Sequence, residues 1–293
     1  MKSSVVLCAA ILPWTIIDPV HAADDLAGTQ SVTNEIVQDV KPSTGAQQAK
    51  AGLSQYFLKH ILPYEPMYLL WGPAAPGVKI QFSIMYRLFS FPAGPVEVLN
   101  GLHLGYTQTS LCDTGAESSP FKDSSYRPEL LYVKDWDRPE GRTITHLTLQ
   151  GGVMHESNGQ DGSDSRSLNI VYLRPSVRLG PASGWNLQLA PRVWAYLDSL
   201  SDNPDLKDYR GYGDLRAILT DGTGVMLSAA LRMGDEWNHL GTQFDLSYPS
   251  NKLLPGLNLD LFFHAQYYTG YGESLLDYDR HTDAIRLGIS LVR

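Results

Sequence analysis

The chain has few cysteines, no basic cluster and no long hydrophobic run, and each absence excludes a class of protein. Two cysteines occur in 293 residues. Cys8 lies in the N-terminal segment, so Cys112 has no partner for an internal disulfide and we expect an inert loop thiol. The net charge is −8, which argues against a nucleic-acid partner. No run of 18 apolar residues follows the N-terminus, so we expect no membrane-spanning helix.

Residues 1–22 have the pattern of a secretory signal peptide. Lys2 supplies the charged start, residues 5–17 form the apolar region, and residues 20–22 end in a small-residue cleavage site. A retained anchor helix is the weaker alternative, because the apolar run is too short to span a bilayer. Residues 23–55 are rich in Ala, Gln, Ser, Thr and Asp, which predicts a polar N-terminal extension.

From residue 56 onward, apolar and polar residues alternate with the period-two pattern of β-strands. The predicted strands are about ten residues long, the length that crosses a bilayer when tilted. We predict twelve strands, at 60–70, 77–91, 97–110, 125–135, 143–157, 166–180, 185–198, 207–220, 223–234, 238–249, 255–271 and 280–292.

Alternation alone does not separate a membrane barrel from a water-soluble sandwich. Strand length, the signal peptide and 16 Tyr and 6 Trp, many of them near strand ends, favour the barrel. We therefore predict an all-β fold, a twelve-stranded antiparallel transmembrane β-barrel over residues 56–293 with its apolar face outside. The longer loops 111–124, 158–165 and 199–207 should face the cell exterior, and the shorter turn 92–96 the other side.

The second face of the predicted strands carries charged residues that we expect inside the barrel. His146, Glu156 and His264 are expected to join a polar network there. Six further residues are expected to pair with one another in the lumen: Arg87, Arg174, Arg178, Arg192, Asp198 and Asp260.

Three polar residues interrupt the apolar face of one predicted hairpin. His155 and Ser157 end the apolar side of one strand, and Asn169 begins the apolar side of the next. Such side chains are costly on an apolar surface unless they have partners. Imidazole, hydroxyl and amide can also act as base, nucleophile and orienting group. The alternative is that they only mark the membrane interface, and the pattern does not decide between the two.

The segment between the two strands is rich in oxygen donors and glycine. Residues 158–165 read NGQDGSDS, a composition that suits a hard cation such as calcium. It matches no EF-hand spacing, so from composition alone a plain solvated turn is the favoured interpretation. The sequence has no G-x-S-x-G motif, which argues against the common α/β-hydrolase fold.

At these residues the sequence resembles bacterial outer-membrane phospholipase A. The segment 155–159 (HESNG), residues 165–167 and Asn169 stand at the motif spacing of that family. Further similar segments are 106–108, 117–121, 202–205 and 270–275. The resemblance extends from about residue 100 to the C-terminus. Residues 56–99 match only in their alternation, and the preceding residues do not match.

The resemblance implies a twelve-stranded barrel with a lipid-facing Ser–His–Asn site. Ser157 would be the nucleophile, His155 the base and Asn169 the orienting group. It also implies an essential calcium ion. The implied ligands are Ser165, the main-chain oxygen of Gln160, Asp202, and Ser118 from a second subunit. The Gly159 N–H would contribute to the oxyanion hole, and Gln108 would lie at the dimer interface.

The chain departs from the family pattern in four places. Gln160 stands where Arg is usual, Gly162 where Asp can occur, and Leu168 where Trp precedes the asparagine. The last residue is Arg293, not an aromatic residue. These differences leave the implied triad unchanged, and the change at Gln160 matters little because only its main-chain oxygen is implied as a ligand.

The sequence thus leads to one function and two rivals. The expected function is a calcium-dependent phospholipase A of the bacterial outer membrane that hydrolyses acyl esters of glycerophospholipids and is active as a homodimer. The first rival is a small porin or an inert structural barrel, which a measurement of single-channel conductance would test. A calcium-binding adhesin would bind calcium but release no fatty acid.

Overall fold

The computed structural model describes residues 57–113, 115, 121–139, 142–234, 238–256 and 259–293. The predicted signal peptide 1–22 and extension 23–55 lie outside the described residues. One compact unit, His60–Arg293, contains all the described strands. No helix in the described part of the chain is long and apolar enough to cross a membrane.

The unit is a closed antiparallel barrel of twelve strands, as predicted. The strands are β1 Ile61–Pro63, β2 Met67–Trp71, β3 Val78–Arg87, β4 Leu102–Cys112, β5 Phe121–Asp137, β6 Ile144–Ser157, β7 Ser167–Leu179, β8 Asn186–Tyr196, β9 Gly213–Thr220, β10 Met226–Met233, β11 Leu240–Pro249, β12 Phe262–Gly270 and β13 Thr282–Val292. The twelve strands of the barrel are β2 to β13: each pairs with the next along the chain, and β13 pairs with β2 to close the cylinder. This closure leaves no open edge between the first and last strands of the barrel.

The first predicted strand, 60–70, is divided into β1 and β2. Both pieces pair with β3, but the register shifts between Pro63 and Tyr68. The residues between them therefore leave the wall. The Glu65 carboxylate accepts hydrogen bonds from Arg174 and Arg216, at 2.9 and 2.6 Å, so this break inserts an anion into the lumen.

Several connections contain short helices. The 3-10 helix η1 (Glu97–Gly101) delays β4, α1 (Leu206–Arg210) delays β9, and α2 (Ser250–Leu253) precedes β12. Two of these helices, η1 and α1, replace residues that the alternation assigns to strands. The short 3-10 helix η2 (Gly162–Asp164) lies in the loop after β6. The predicted short turn 92–96 is consequently part of a longer connection, 88–101.

The two faces of the wall are reversed relative to a water-soluble protein. In β13, Ile285 and Leu287 are 60% and 62% exposed, whereas Arg286 between them is 1% exposed. The apolar side chains thus form the outer wall and the charged ones fill the interior, which is the arrangement of a membrane barrel. Cys112 is not in a loop: it is the buried last residue of β4.

Ion pairs cross the lumen around a cavity of about 500 Å³. Glu156 pairs with Arg210 and His264 with Asp245, at 3.1 and 2.9 Å, so both residues join the expected network. The predicted pairing partners were wrong for two arginines. Arg174 pairs with Glu65 and Arg192 with Asp214, because the alternation does not show which opposing residues meet across a barrel.

The end of the barrel that carries connections 158–166, 197–212 and 271–281, here the site end, is closed by folded segments. Leu206 of α1 and Leu275 pack in one buried cluster with Met154 of β6. The Asp123 carboxylate accepts hydrogen bonds from Ser274 Oγ and the Leu275 and Leu276 amides, at 2.6, 2.9 and 3.0 Å. These contacts hold the connections of the site end on the strands of the barrel.

Candidate active site

His155 and Ser157 lie on the outer wall, at the site end of β6. The alternation of β6 buries Met154 and Glu156 inside, whereas His155 is exposed and Ser157 half-buried. In the β6–β7 ladder, His155 is directly opposite Asn169. Directly opposed residues on one face of an antiparallel pair are close enough for side-chain contact.

The His155 and Asn169 side chains are hydrogen-bonded. The distance between His155 Nδ1 and Asn169 Oδ1 is 2.9 Å. An amide oxygen only accepts, so this contact requires a proton on Nδ1 and leaves Nε2 with a free lone pair. Asn169 Nδ2 also donates to Asp198 Oδ2, at 2.6 Å.

Asp198 is not in the lumen, where the alternation places it. β8 ends at Tyr196, so the period-two rule no longer applies two residues later. The Asp198 carboxylate instead contacts Asn169 on the outer wall. Sequence reasoning missed this residue at the site, because a contact between positions 29 residues apart leaves no local signal.

Ser157 stands in a line of residues that crosses four strands. It is opposite Ser167 on β7 and Tyr126 on β5, and Tyr126 is opposite Gln108 on β4. The Ser157 hydroxyl makes no hydrogen bond with another described residue. Since neighbouring strands are about 4.8 Å apart, Gln108 lies about 10 Å from Ser157 along the wall.

Gly159 follows the strand at a position that requires glycine. Its φ is +68°, in the left-handed region. A Cβ atom here would lie 3.1 Å from Tyr126 Cε2, so space is limited as well. Both constraints favour a residue without a side chain two positions after Ser157.

The loop 158–166 is organised by Asn158, which sequence reasoning did not single out. The side chain is buried. Its Nδ2 donates to the Asp164 carbonyl at 2.8 Å, and its Oδ1 accepts from the amides of Gln160 and Arg166 at 3.3 and 3.0 Å. A loop held from inside keeps its own carbonyl and hydroxyl oxygens in a fixed arrangement.

Two of the predicted calcium ligands are in contact. Ser165 Oγ donates to Asp202 Oδ2 at 3.1 Å, and Asn203 beside it accepts from the Ser167 amide at 3.0 Å. The predicted donors are hydroxyl, carbonyl and carboxylate oxygens, which are the ligands that calcium prefers. Within the described ranges no group of three or more His, Cys, Asp or Glu could hold a metal, so a site here would combine the Asp202 carboxylate with hydroxyl and main-chain oxygens.

Of the two remaining predicted residues, the structure describes Gln108 but not Ser118. Gln108 faces outward on β4, where its side chain bonds Tyr106 Oη and Ser110 Oγ at 3.0 and 3.2 Å. Ser118 lies outside the described residues.

Comparison with known proteins identifies the family. A family model described as phospholipase A1 matches residues 73–291. The chain belongs to the phospholipase A1 family. The phospholipase A1 of Salmonella typhimurium is 33% identical over 218 residues, which cover 73% of this chain and 69% of that protein.

Solved structures of this family have the same barrel. The outer membrane phospholipase of Salmonella typhi, described as a dimer with bound calcium, superposes with a TM-score of 0.63 and 29% identity over 79% of this chain and 92% of that one. Outer membrane phospholipase A of Escherichia coli, described as an active-site mutant with alanine in place of an asparagine, gives 0.62 and 28% over 79% and 91%. This member of the phospholipase A1 family is therefore a bacterial outer-membrane β-barrel.

Proposed function

We propose that this protein is a calcium-dependent phospholipase A that hydrolyses acyl esters of glycerophospholipids at the outer wall of its barrel. The observation that carries the proposal is the hydrogen bond of 2.9 Å between His155 and Asn169 on a lipid-facing surface. Val153 and Val171, one step along the same two strands, are exposed. An acyl chain would therefore find apolar contacts next to a group that can take a proton.

The residues of this site support the reaction steps of a serine hydrolase. Ser157 Oγ attacks the ester carbonyl carbon as its proton passes to His155 Nε2. The tetrahedral intermediate collapses, and the leaving alcohol oxygen of the lysophospholipid takes that proton. Water then attacks the acyl-serine, again through His155, and the fatty acid leaves. In enzymes without substrate the hydrogen bond between nucleophile and base is often long or poorly aligned, which is compatible with a Ser157 hydroxyl that bonds no other described residue.

The polar loop supports an oxygen-ligated calcium next to this serine. Ser165, Asp202 and the main-chain oxygen of Gln160 would hold the ion, with Ser118 contributed by a second subunit. When bound, calcium would supply positive charge that stabilises the oxyanion, directly or through a polarised water, and the Gly159 N–H would donate a hydrogen bond to the oxyanion. The calcium-bound dimer of the Salmonella typhi relative supports this assignment.

A homodimer is the active form in this proposal. Gln108 faces outward at the level of Ser157, two strands away. A second copy seated on β4 would therefore lie next to the nucleophile, and could complete both the calcium site and the surface that receives the acyl chain.

The test of the nucleophile is fatty-acid release from micellar phospholipid with calcium. Ser157→Ala and His155→Ala should each lower kcat by at least about 10³-fold, because the base and nucleophile act as a unit. Ser167→Ala is the matched control, since Ser167 is directly opposite Ser157 in the ladder, and it should keep the parent rate. Parental activity in either site variant would refute the proposed chemistry.

Removal of calcium tests the cofactor and the dimer. EDTA should abolish turnover, and calcium but not magnesium should restore it. Asp202→Asn should raise the half-saturating calcium concentration at least about tenfold, because one anionic ligand is lost. Sedimentation in detergent should show fewer dimers without calcium. Turnover that is insensitive to chelation would contradict the calcium assignment.

A further inference from the structure

The Asn169 amide is held between two side chains of opposite hydrogen-bonding character. Its Oδ1 lies 2.9 Å from His155 Nδ1, and its Nδ2 lies 2.6 Å from Asp198 Oδ2. Asp198 follows directly after Leu197, whose amide donates to the Asn169 carbonyl at 2.8 Å. The backbone bond therefore fixes the distance from which the carboxylate reaches the amide.

A carboxylate fixes which way the amide points. An ionised carboxylate only accepts hydrogen bonds, so the NH₂ end of Asn169 must face Asp198 and its oxygen must face His155. A reversed amide would offer an N–H to His155 Nδ1 and would move the imidazole proton to Nε2. Nε2 could then not receive a proton from Ser157, and the site would lack a base.

We propose that Asp198 is a positioning residue of this site, which keeps the Asn169 amide oxygen on His155 and thereby keeps the lone pair of His155 Nε2 available to Ser157. This inference rests on the proposed function. Asp198 would add a charged fourth residue to Ser157, His155 and Asn169, whose side chains are neutral in this proposal.

The location of Asp198 lowers the free-energy cost of a negative charge near a lipid-facing site. An unpaired carboxylate beside the histidine, among exposed Val153 and Val171, would lie against hydrocarbon, where charge is costly. Asp198 is instead beyond the end of β8 and exposed, so water can hydrate it. The neutral amide transmits the effect of the carboxylate into the apolar zone, because a polarised amide oxygen is a better acceptor.

A purely structural role makes a different prediction. If Asp198 only fastened the chain after β8 to β7, its loss would act independently of Asn169. The Leu197–Asn169 backbone bond already makes that connection. A double-mutant cycle separates the two roles, because residues that act through one another are not additive.

The experiment measures two rates in Asp198→Ala and Asp198→Asn, each in the parent and in the Asn169→Ala background. The first is kcat on micellar phospholipid with calcium. The second is the rate at which Ser157 is labelled by a fluorophosphonate, which requires an activated serine but no turnover of lipid. Asp198→Asn keeps the shape and one acceptor, so it serves as the second variant if the alanine variant assembles poorly. Ser199→Ala, an exposed neighbour, is the control.

In the parent background, Asp198→Ala should lower both rates about tenfold or more, since small misplacements of catalytic groups cost up to about 10²-fold. KM should stay within about twofold. Asp198→Asn should give a smaller loss, and in the Asn169→Ala background neither change should have a further effect. Parental rates in Asp198→Ala, or equal losses in both backgrounds, would overturn this inference while a dead Ser157→Ala variant left the proposed function standing. A parent without any Ser157-dependent hydrolysis would refute both.

Discussion

Gly159 shows how a single residue can be constrained by conformation and by space together. The left-handed φ of +68° disfavours any residue with a Cβ, and that atom would lie in a tight contact of 3.1 Å with the ring of Tyr126. Gly162 in the same loop has a φ of +59°, yet a Cβ there would meet nothing within 4 Å. The two glycines therefore have similar backbone conformations but differ in the space available for a Cβ atom.

This difference yields a matched pair of variants. Gly162→Ala should cost about 1 kcal/mol of local strain, the usual penalty for a left-handed residue with a Cβ, and little activity. Gly159→Ala bears the same strain and must in addition push the backbone or Tyr126 aside. We expect its kcat to fall at least about tenfold more than that of Gly162→Ala, because the proposed oxyanion donor moves. Calcium-saturated assays of both variants measure this, and equal losses would mean that the Gly159 N–H has no special position.

At the scale of elements, the period-two pattern predicts the wall well and its ends poorly. Alternation correctly places His155 and Asn169 on the same face of two neighbouring strands, because every second side chain of a strand points to the same face. It fails at Asp198, where β8 has already ended at Tyr196. The strand ends are set by contacts across the barrel.

The connections show the same limit. α1 replaces predicted strand because Leu206 is buried with Leu275, a partner far along the chain. The break between β1 and β2 brings Glu65 to Arg174 and Arg216 on distant strands. Neither contact has a local sequence signal, so a single sequence predicts the face of the proposed catalytic residues and not the side chains that support them.

For the whole molecule, the reversed faces place the charged groups where a water-soluble protein keeps its apolar core. Glu273 in connection 271–281 binds Lys79 of β3 and Arg286 of β13, at 3.0 and 2.6 Å. All three side chains are less than 5% exposed. One carboxylate between two buried cations thus connects β3 and β13, the strands on either side of β2.

The same carboxylate makes stability depend on pH. Burial alone would raise the pKa of Glu273, but Lys79 and Arg286 outweigh it and lower the pKa below its ordinary value. A group whose pKa is lower in the folded state stabilises it above the ordinary pKa, about 4.3 for Glu. That stabilisation is lost as the pH falls below this value and through the lowered pKa.

Glu273→Gln should therefore destabilise the barrel by about 3–5 kcal/mol at neutral pH, because two buried cations lose their counter-charge. Denaturant unfolding of the protein refolded into lipid vesicles measures this. Arg280→Ala is the control: Arg280 is 67% exposed in its pair with Asp277, and an exposed pair contributes about 0–1 kcal/mol. The loss of stability as the pH falls below about 4.3, the ordinary pKa of Glu, should also be smaller in Glu273→Gln than in the parent, since the titrating carboxyl is gone. Equal stability of the two variants at neutral pH would show that the lumen network tolerates unpaired charge and that the wall alone holds the barrel closed.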